Sequence, residues 1–175
     1  MANYFEFVSK YKDCGLPLPQ PATPGSAGLD LRAVEDTIIP PFMSKYGQSP
    51  KGDANTLEEN EKNIKEINGK LTMVSTGLKV HLDEGYYLAI TPRSSMPLKQ
   101  WLFIGNTQAV VDRDYIQADN EGEIFIQLIN MTPNPILIKK GDRIGQALFI
   151  PYVLPENVKP ENETRVGGHG STGTK

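Results

Sequence analysis

Glycine and proline interrupt this chain so often that few stretches are long enough to form a helix of ordinary length. The 175 residues include 16 glycines and 14 prolines. The apolar runs between them are short and rich in β-branched and aromatic residues, and they cover residues 4–8, 71–80, 86–91, 124–130, 136–139 and 144–150. Short runs with turn signals between them are typical of strands. The sequence therefore predicts an all-β sandwich or barrel.

Size and charge restrict the class of protein further. A chain of this length fits one domain with a full core. The net charge of -3 disfavours direct binding of nucleic acid, which needs a basic face. The sequence has no apolar run that could span a membrane, no secretory signal and a single cysteine, Cys14, so we expect a cytoplasmic protein. With only His81 and His169 beside Cys14, the chain cannot build a thiolate or imidazole metal cluster.

Two segments depart from the strand pattern, an insertion at residues 42–70 and a C-terminal arm at residues 161–175. We therefore expect the barrel domain to span residues 1–160. The insertion is polar, and a capping box from Thr56 to Glu59 predicts a short surface helix within it. It is either a solvated extension or an element that binds a protein partner. The arm is rich in glycine and hydroxyl groups, so it is either disordered or ordered by contact with an anion.

Two stretches of the predicted barrel carry residues suited to binding a metal or a phosphate. Asp30 lies at the start of a strand, where its carboxylate could hold a divalent cation directly or through water, or could simply cap a turn. Arg93 is followed by Ser94 and Ser95 at a strand-to-helix junction, which offers a guanidinium, hydroxyls and N–H groups to a phosphate. The same pattern also begins many helices that bind nothing.

Residues 104–115 have an apolar core framed by polar side chains. Asn106 precedes that core, and Asp112 and Tyr115 follow it. An amide, a carboxylate and a phenol in this order predict a functional site on a rigid hairpin. The alternative is a core strand that ends in an acidic turn.

The last apolar run of the barrel lies within residues 141–151 and includes two polar residues, Arg143 and Gln146. Burying a polar group without a hydrogen-bond partner costs roughly a few kcal/mol. We therefore expect each of these two side chains to contact a polar partner.

Five stretches of the chain, in order, resemble the five motifs of the trimeric deoxyuridine triphosphatase (dUTPase) family. They read SAGLDLRA at 26–33, PRSSM at 92–96, GNTQAVVDRDY at 105–115, GDRIGQALFIP at 141–151 and RVGGHGSTG at 165–173. The resemblance implies a jelly-roll-like β-barrel that assembles as a homotrimer with shared active sites. It also implies Mg²⁺-dependent hydrolysis of dUTP to dUMP and pyrophosphate, which limits uracil incorporation into DNA and supplies dUMP for dTMP synthesis.

The resemblance further implies roles for individual residues. Asp112 would deprotonate the water that attacks the α-phosphorus, and Gln146 would help to hold that water. Asn106 would bind the uracil edge, and Tyr115 would pack under the deoxyribose. Asp30 would anchor Mg²⁺ through its water shell. A larger group would hold the phosphates and cover the base, namely Arg93, Ser94, Ser95, Arg165, His169, Gly170, Ser171 and Thr172.

Three features depart from the family pattern. His169 stands where the family has Phe, the arm is one residue shorter between Arg165 and Gly167, and the link after Tyr115 is longer. The dCTP deaminases share the fold but need a Glu as general base where this chain has Gln127, so the resemblance favours a dUTPase. A further alternative is a regulatory protein that binds a partner through the insertion.

Overall fold

The computed structural model describes residues 3–42 and 71–159. These residues form the strands β1 Tyr4–Phe7, β2 Leu29–Arg32, β3 Thr37–Ile39, β4 Thr72–Ser75, β5 Leu78–His81, β6 Tyr86–Thr91, β7 Leu102–Ile104, β8 Ala109–Val111, β9 Phe125–Asn130, β10 Ile136–Ile138 and β11 Arg143–Pro151. Helical structure there is confined to short segments, among them Ser9–Tyr11, Met96–Gln100 and Arg113–Gln117. The predicted all-β class is confirmed.

Antiparallel pairing joins these strands into four sheets around one core. The largest sheet has the order β2-β11-β6-β8, the next has the order β4-β9-β7, and two ribbons pair β1 with β5 and β3 with β10. In the largest sheet, β11 places Gln146 opposite Asp30 of β2 on one side and opposite Thr91 of β6 on the other. This register brings three of the sequence stretches to neighbouring positions.

The core is built from the alternating inner faces of the strands. On β9, Ile126 and Leu128 are buried while Gln127 between them is only half-buried, as the two-residue period of a strand requires. Leu88, Ile90 and Ile144 from the largest sheet are also at most 1% exposed. Burial of each such side chain contributes about 1.5–3 kcal/mol, so packing between sheets stabilises strands that are too short to persist alone.

Two local predictions differ from the structure. Residues 71–80 form two strands instead of one, because the chain turns at Gly77, whose φ of +66° is strained for any residue with a side chain. The predicted hairpin at residues 104–115 is wrong. There β7 pairs with β9 and β8 pairs with β6, so the two strands belong to different sheets. A turn with Thr107 at a φ of +56° connects them.

Within these two ranges, no helix combines the length and the apolar character needed to cross a membrane. The cytoplasmic location and the lack of nucleic-acid binding stay predictions. The helix predicted in the insertion lies outside the described residues, as does the C-terminal arm.

Candidate active site

Asp30 lies between two arginines, one on β11 and one just after the end of β6. Arg93 Nε donates to Oδ1 of Asp30 at 2.7 Å, and Arg143 Nη1 donates to Oδ2 at 2.9 Å. The Asp30 side chain is only 15% exposed, so solvent screens these pairs less than it screens surface pairs. Two guanidinium groups around one carboxylate leave one positive charge in excess. The cluster therefore suits an anion such as a phosphate.

Gln146 connects the same cluster to the segment that carries Arg93. Its Nε2 donates to the carbonyl oxygen of Pro92 at 3.1 Å. On its other side, Gln146 packs against Gly28. The prediction that the polar residues of the last apolar run find partners is thus confirmed for both Arg143 and Gln146.

Gly28 lies so close to Gln146 that a side chain at this position would displace the glutamine. A Cβ built on Gly28 would lie 2.5 Å from Oε1 and 3.4 Å from Cβ of Gln146. We expect Gly28→Ala to lower kcat about tenfold, because small displacements of a positioned group are costly. Overpacking should lower the free energy of unfolding by about 1–3 kcal/mol. Steady-state kinetics and thermal unfolding measure the two effects.

Gly25→Ala is the matched control, because a Cβ at Gly25 would meet nothing within 4 Å. This variant should keep the kinetics and the Tm of the parent protein. A Gly28→Ala variant with unchanged kcat would show that the position of Gln146 does not matter for turnover.

The two serines after Arg93 differ in exposure. Ser94 is exposed and Ser95 is half-buried. The next residue, Met96, donates its N–H to the Arg93 carbonyl at 2.9 Å and buries its side chain in the core. Arg93, Met96 and Arg143 border a cavity of 230 Å³. Ligand pockets usually measure roughly 300–1,000 Å³, so this cavity is too small to enclose a nucleoside triphosphate.

Asp112 is exposed and directly precedes the helical segment Arg113–Gln117. Its backbone is extended, and its carbonyl accepts a hydrogen bond from the N–H of Tyr115 at 3.1 Å. The Tyr115 ring is only 6% exposed, and its hydroxyl donates to the carbonyl of Glu123 at 2.9 Å. Tyr115 therefore anchors the segment that presents Asp112. Asn106 is exposed in the turn between β7 and β8.

The structure brings Asp30, Arg93, Arg143 and Gln146 together but separates Asp112 from them along β6. Val111 pairs with Leu88 near the beginning of β6, whereas Arg93 follows the end of that strand. The extended chain from Leu88 to Arg93 spans roughly 16 Å. Within one chain, Asp112 and Arg93 therefore lie at opposite ends of the same strand.

Comparison with known proteins identifies the family. The dUTPase family model matches residues 59–174. The chain belongs to the dUTPase family. It is 34% identical over 171 residues to the deoxyuridine 5'-triphosphate nucleotidohydrolase of Lactococcus lactis, covering 97% of this chain and 96% of that protein. It is 37% identical over 165 residues to the corresponding Dictyoglomus turgidum protein, covering 92% of this chain and 93% of the relative.

The fold agrees with this membership. The crystal structure of the dUTPase from Streptococcus mutans is similar, with a TM-score of 0.68 and 31% identity, and the match covers 87% of this chain and 98% of that one. The family predicted from the five motifs is confirmed. The position where a dCTP deaminase needs its Glu base holds the half-buried Gln127 on β9.

One charged residue that contacts Asp30 was absent from the predicted binding residues. Arg143 shares the Asp30 carboxylate with Arg93. The signal in the sequence was its polar side chain at the edge of an apolar run, which predicted a partner without identifying it. Arg165, His169, Gly170, Ser171 and Thr172 lie outside the described residues, so their roles stay predictions.

Proposed function

We propose that this protein hydrolyses dUTP to dUMP and pyrophosphate as a homotrimer with shared active sites. Membership of the dUTPase family supports the reaction. Asp30, Arg93 and Arg143 together carry one surplus positive charge, which supports binding of a polyphosphate. The reaction would limit uracil incorporation into DNA and supply dUMP for dTMP synthesis.

The separation of Asp112 from Arg93 within one chain is the observation that supports active sites shared between subunits. In such a site the general base must reach the water at the α-phosphorus, at about 2.6–3.2 Å between hydrogen-bond partners, while Arg93 binds the same triphosphate. In a single chain the two residues flank opposite ends of β6. A site that combines Asp112 of one subunit with Arg93 of another would bring both groups to one triphosphate.

Exposed apolar residues support the trimer. Ile38 on β3 is 65% exposed and pairs directly with Leu137 on β10, which is 50% exposed. Val110 on the edge strand β8 is 58% exposed. Contact with other subunits would remove such surface from water. Each Å² of apolar surface buried contributes about 25 cal/mol of favourable free energy.

The chemistry is an in-line displacement at the α-phosphorus. Asp112 accepts a proton from a water whose oxygen forms the new bond to phosphorus, while the bond to the oxygen bridging the α- and β-phosphates breaks and pyrophosphate leaves. Gln146 orients that water by hydrogen bonding. Arg93, with Ser94 and Ser95, neutralises and positions the phosphates. Positioning and charge neutralisation account for most of the catalysis of such reactions.

Mg²⁺ is the proposed cofactor, and the donor set limits how it binds. In the two described ranges, no group of three or more His, Cys, Asp or Glu side chains is placed to hold a metal ion. Both oxygens of Asp30 already accept hydrogen bonds from arginines. A metal that arrives with the triphosphate and contacts Asp30 through water fits this arrangement, since Mg²⁺ usually keeps several waters. When bound, it would neutralise phosphate charge.

Recognition of the nucleoside is assigned to the turn before β8 and to the segment after it. Asn106 is exposed and lies in a turn, so its side-chain amide is accessible to the uracil edge. Tyr115 is proposed to pack under the deoxyribose, and the hydrogen bond from its hydroxyl to the Glu123 carbonyl fixes its position. His169 of the arm would stack on the base, and a protein partner at the insertion remains a separate proposal.

Mixing two inactive variants tests the shared site and the activity together. The parent protein should release pyrophosphate from dUTP and no ammonia from dCTP. Trimers refolded from equal amounts of Arg93→Ala and Asp112→Asn subunits should recover about a quarter of the parental activity, because random closed trimers then contain that fraction of intact sites. Light scattering should give three times the chain mass of 19.3 kDa.

The controls are each variant refolded alone, which should stay inactive. Mixed samples without activity would contradict sites shared in this way, provided that the parent protein refolded identically is active. Ammonia release from dCTP would contradict the proposed reaction itself.

A further inference from the structure

The link between Tyr115 and β9 has a strained backbone. Glu121 has a φ of +60° and the following Gly122 has a φ of +71°. A left-handed conformation costs a residue with a side chain on the order of 1–3 kcal/mol, and it persists only when the surroundings fix it. Contacts on both sides of Glu121 do so.

The outer contacts tie Glu121 to the beginning of the chain. Its Oε2 accepts hydrogen bonds from the N–H of Ser9 at 3.2 Å and from the Ser9 hydroxyl at 2.9 Å. Lys79 Nζ lies 3.6 Å from the same oxygen and 2.9 Å from Oε1 of Glu6. The Ser9 hydrogen bonds hold the pKa of the Glu121 carboxyl below its usual value, so the group is charged throughout the neutral range.

The inner contacts tie the same loop to Tyr115. Asn120 Nδ2 donates to the Tyr115 hydroxyl and to the Glu123 carbonyl, both at 3.2 Å. The Gly122 N–H donates back to Oδ1 of Asn120 at 3.2 Å. A Cβ on Gly122 would lie 2.6 Å from the Cα of the residue after Tyr115, so the loop packs tightly against the segment that follows Asp112.

We propose that Glu121 is a positioning residue for the hydrolysis, and that it acts by holding the segment on which Asp112 is presented. The connection runs from Ser9 through the Glu121 carboxylate and Asn120 to Tyr115, whose N–H binds the Asp112 carbonyl. This inference rests on the proposed role of Asp112. In this proposal Glu121 acts only through the alignment of the Asp112 carboxylate.

Glu121→Gly separates the contact from the backbone strain, because glycine adopts a positive φ without cost. We expect kcat to fall about tenfold, as a small misplacement of the base would cause, with KM changed less than about twofold. Glu121→Gln keeps an acceptor for Ser9 and should restore most of kcat. Adding Ser9→Ala to Glu121→Gly should lower kcat no further, because both changes break the same contact.

Glu156→Gly removes an exposed acid elsewhere in the chain and is the matched control. Parental kcat in Glu121→Gly would overturn the proposal, and so would an equal fall in Glu156→Gly. A fall in kcat that merely follows a loss of folded trimer, measured by light scattering and thermal unfolding, would also overturn it. Asp112→Asn in the same assay distinguishes failure of the proposed role of Asp112 from failure of the proposed role of Glu121. Full activity in Asp112→Asn would refute the role of Asp112, independently of the result for Glu121.

Discussion

Asp112→Asn should lower kcat for dUTP by about 10²- to 10⁴-fold, the usual contribution of a general base. An amide keeps the shape of the carboxylate but cannot accept the proton of the attacking water. Asn is as good as Asp before a helical segment, so the turn that presents this residue should persist. KM and the affinity for a non-hydrolysable dUTP analogue should change little, because the substituted group acts mainly in the transition state.

Asp119→Asn is the matched control, because Asp119 is an exposed acid in the loop that follows the same helical segment. It should keep parental kinetics. Single-turnover measurements of pyrophosphate release separate loss of chemistry from slow product release. An Asp112→Asn variant with full activity would remove Asp112 from the mechanism and leave the water without an assigned base.

The partners of polar residues were more predictable than the partners of strands. The sequence indicated that Arg143 and Gln146 must contact polar groups, since an apolar run cannot leave them unsatisfied. The strands β7 and β8 consist of apolar residues alone, so their sequence specified neither which face is buried nor which strand lies alongside. The short turn at Asn106 therefore suggested a hairpin, although the two strands belong to different sheets.

Long-range contacts account for the rest of what the sequence did not reveal. Ser9 and Glu121 are 112 positions apart, and neither lies in a sequence motif that predicts contact with the other. The burial of Tyr115 was likewise hidden, because an aromatic residue at the end of a strand suits a ligand platform as well as a core. Family motifs identified the residues, but the strand register showed that Arg93 and Asp112 flank opposite ends of β6.

The C-terminal arm, residues 161–175, is expected to have a large effect on turnover because the described cavity is small. The described cluster around Arg93 borders a cavity of only 230 Å³, so further groups must enclose the triphosphate. Arg165, Ser171 and Thr172 provide a guanidinium and hydroxyl donors of the kind that phosphates bind. Enclosure would also expel water and strengthen each electrostatic contact with the substrate.

Deletion of residues 163–175 should therefore lower kcat/KM for dUTP by about 10²-fold or more while the trimer persists. The loss of enclosure and of phosphate donors should appear in both kcat and KM, since the removed groups would bind the ground state and the transition state. Steady-state kinetics and light scattering measure activity and assembly on the same sample. Deletion of Thr174 and Lys175 alone, which lie beyond the glycine-rich motif, is the control and should leave turnover unchanged. A parental rate in the longer deletion would show that the cluster around Asp30 and Arg93 binds the triphosphate without the arm.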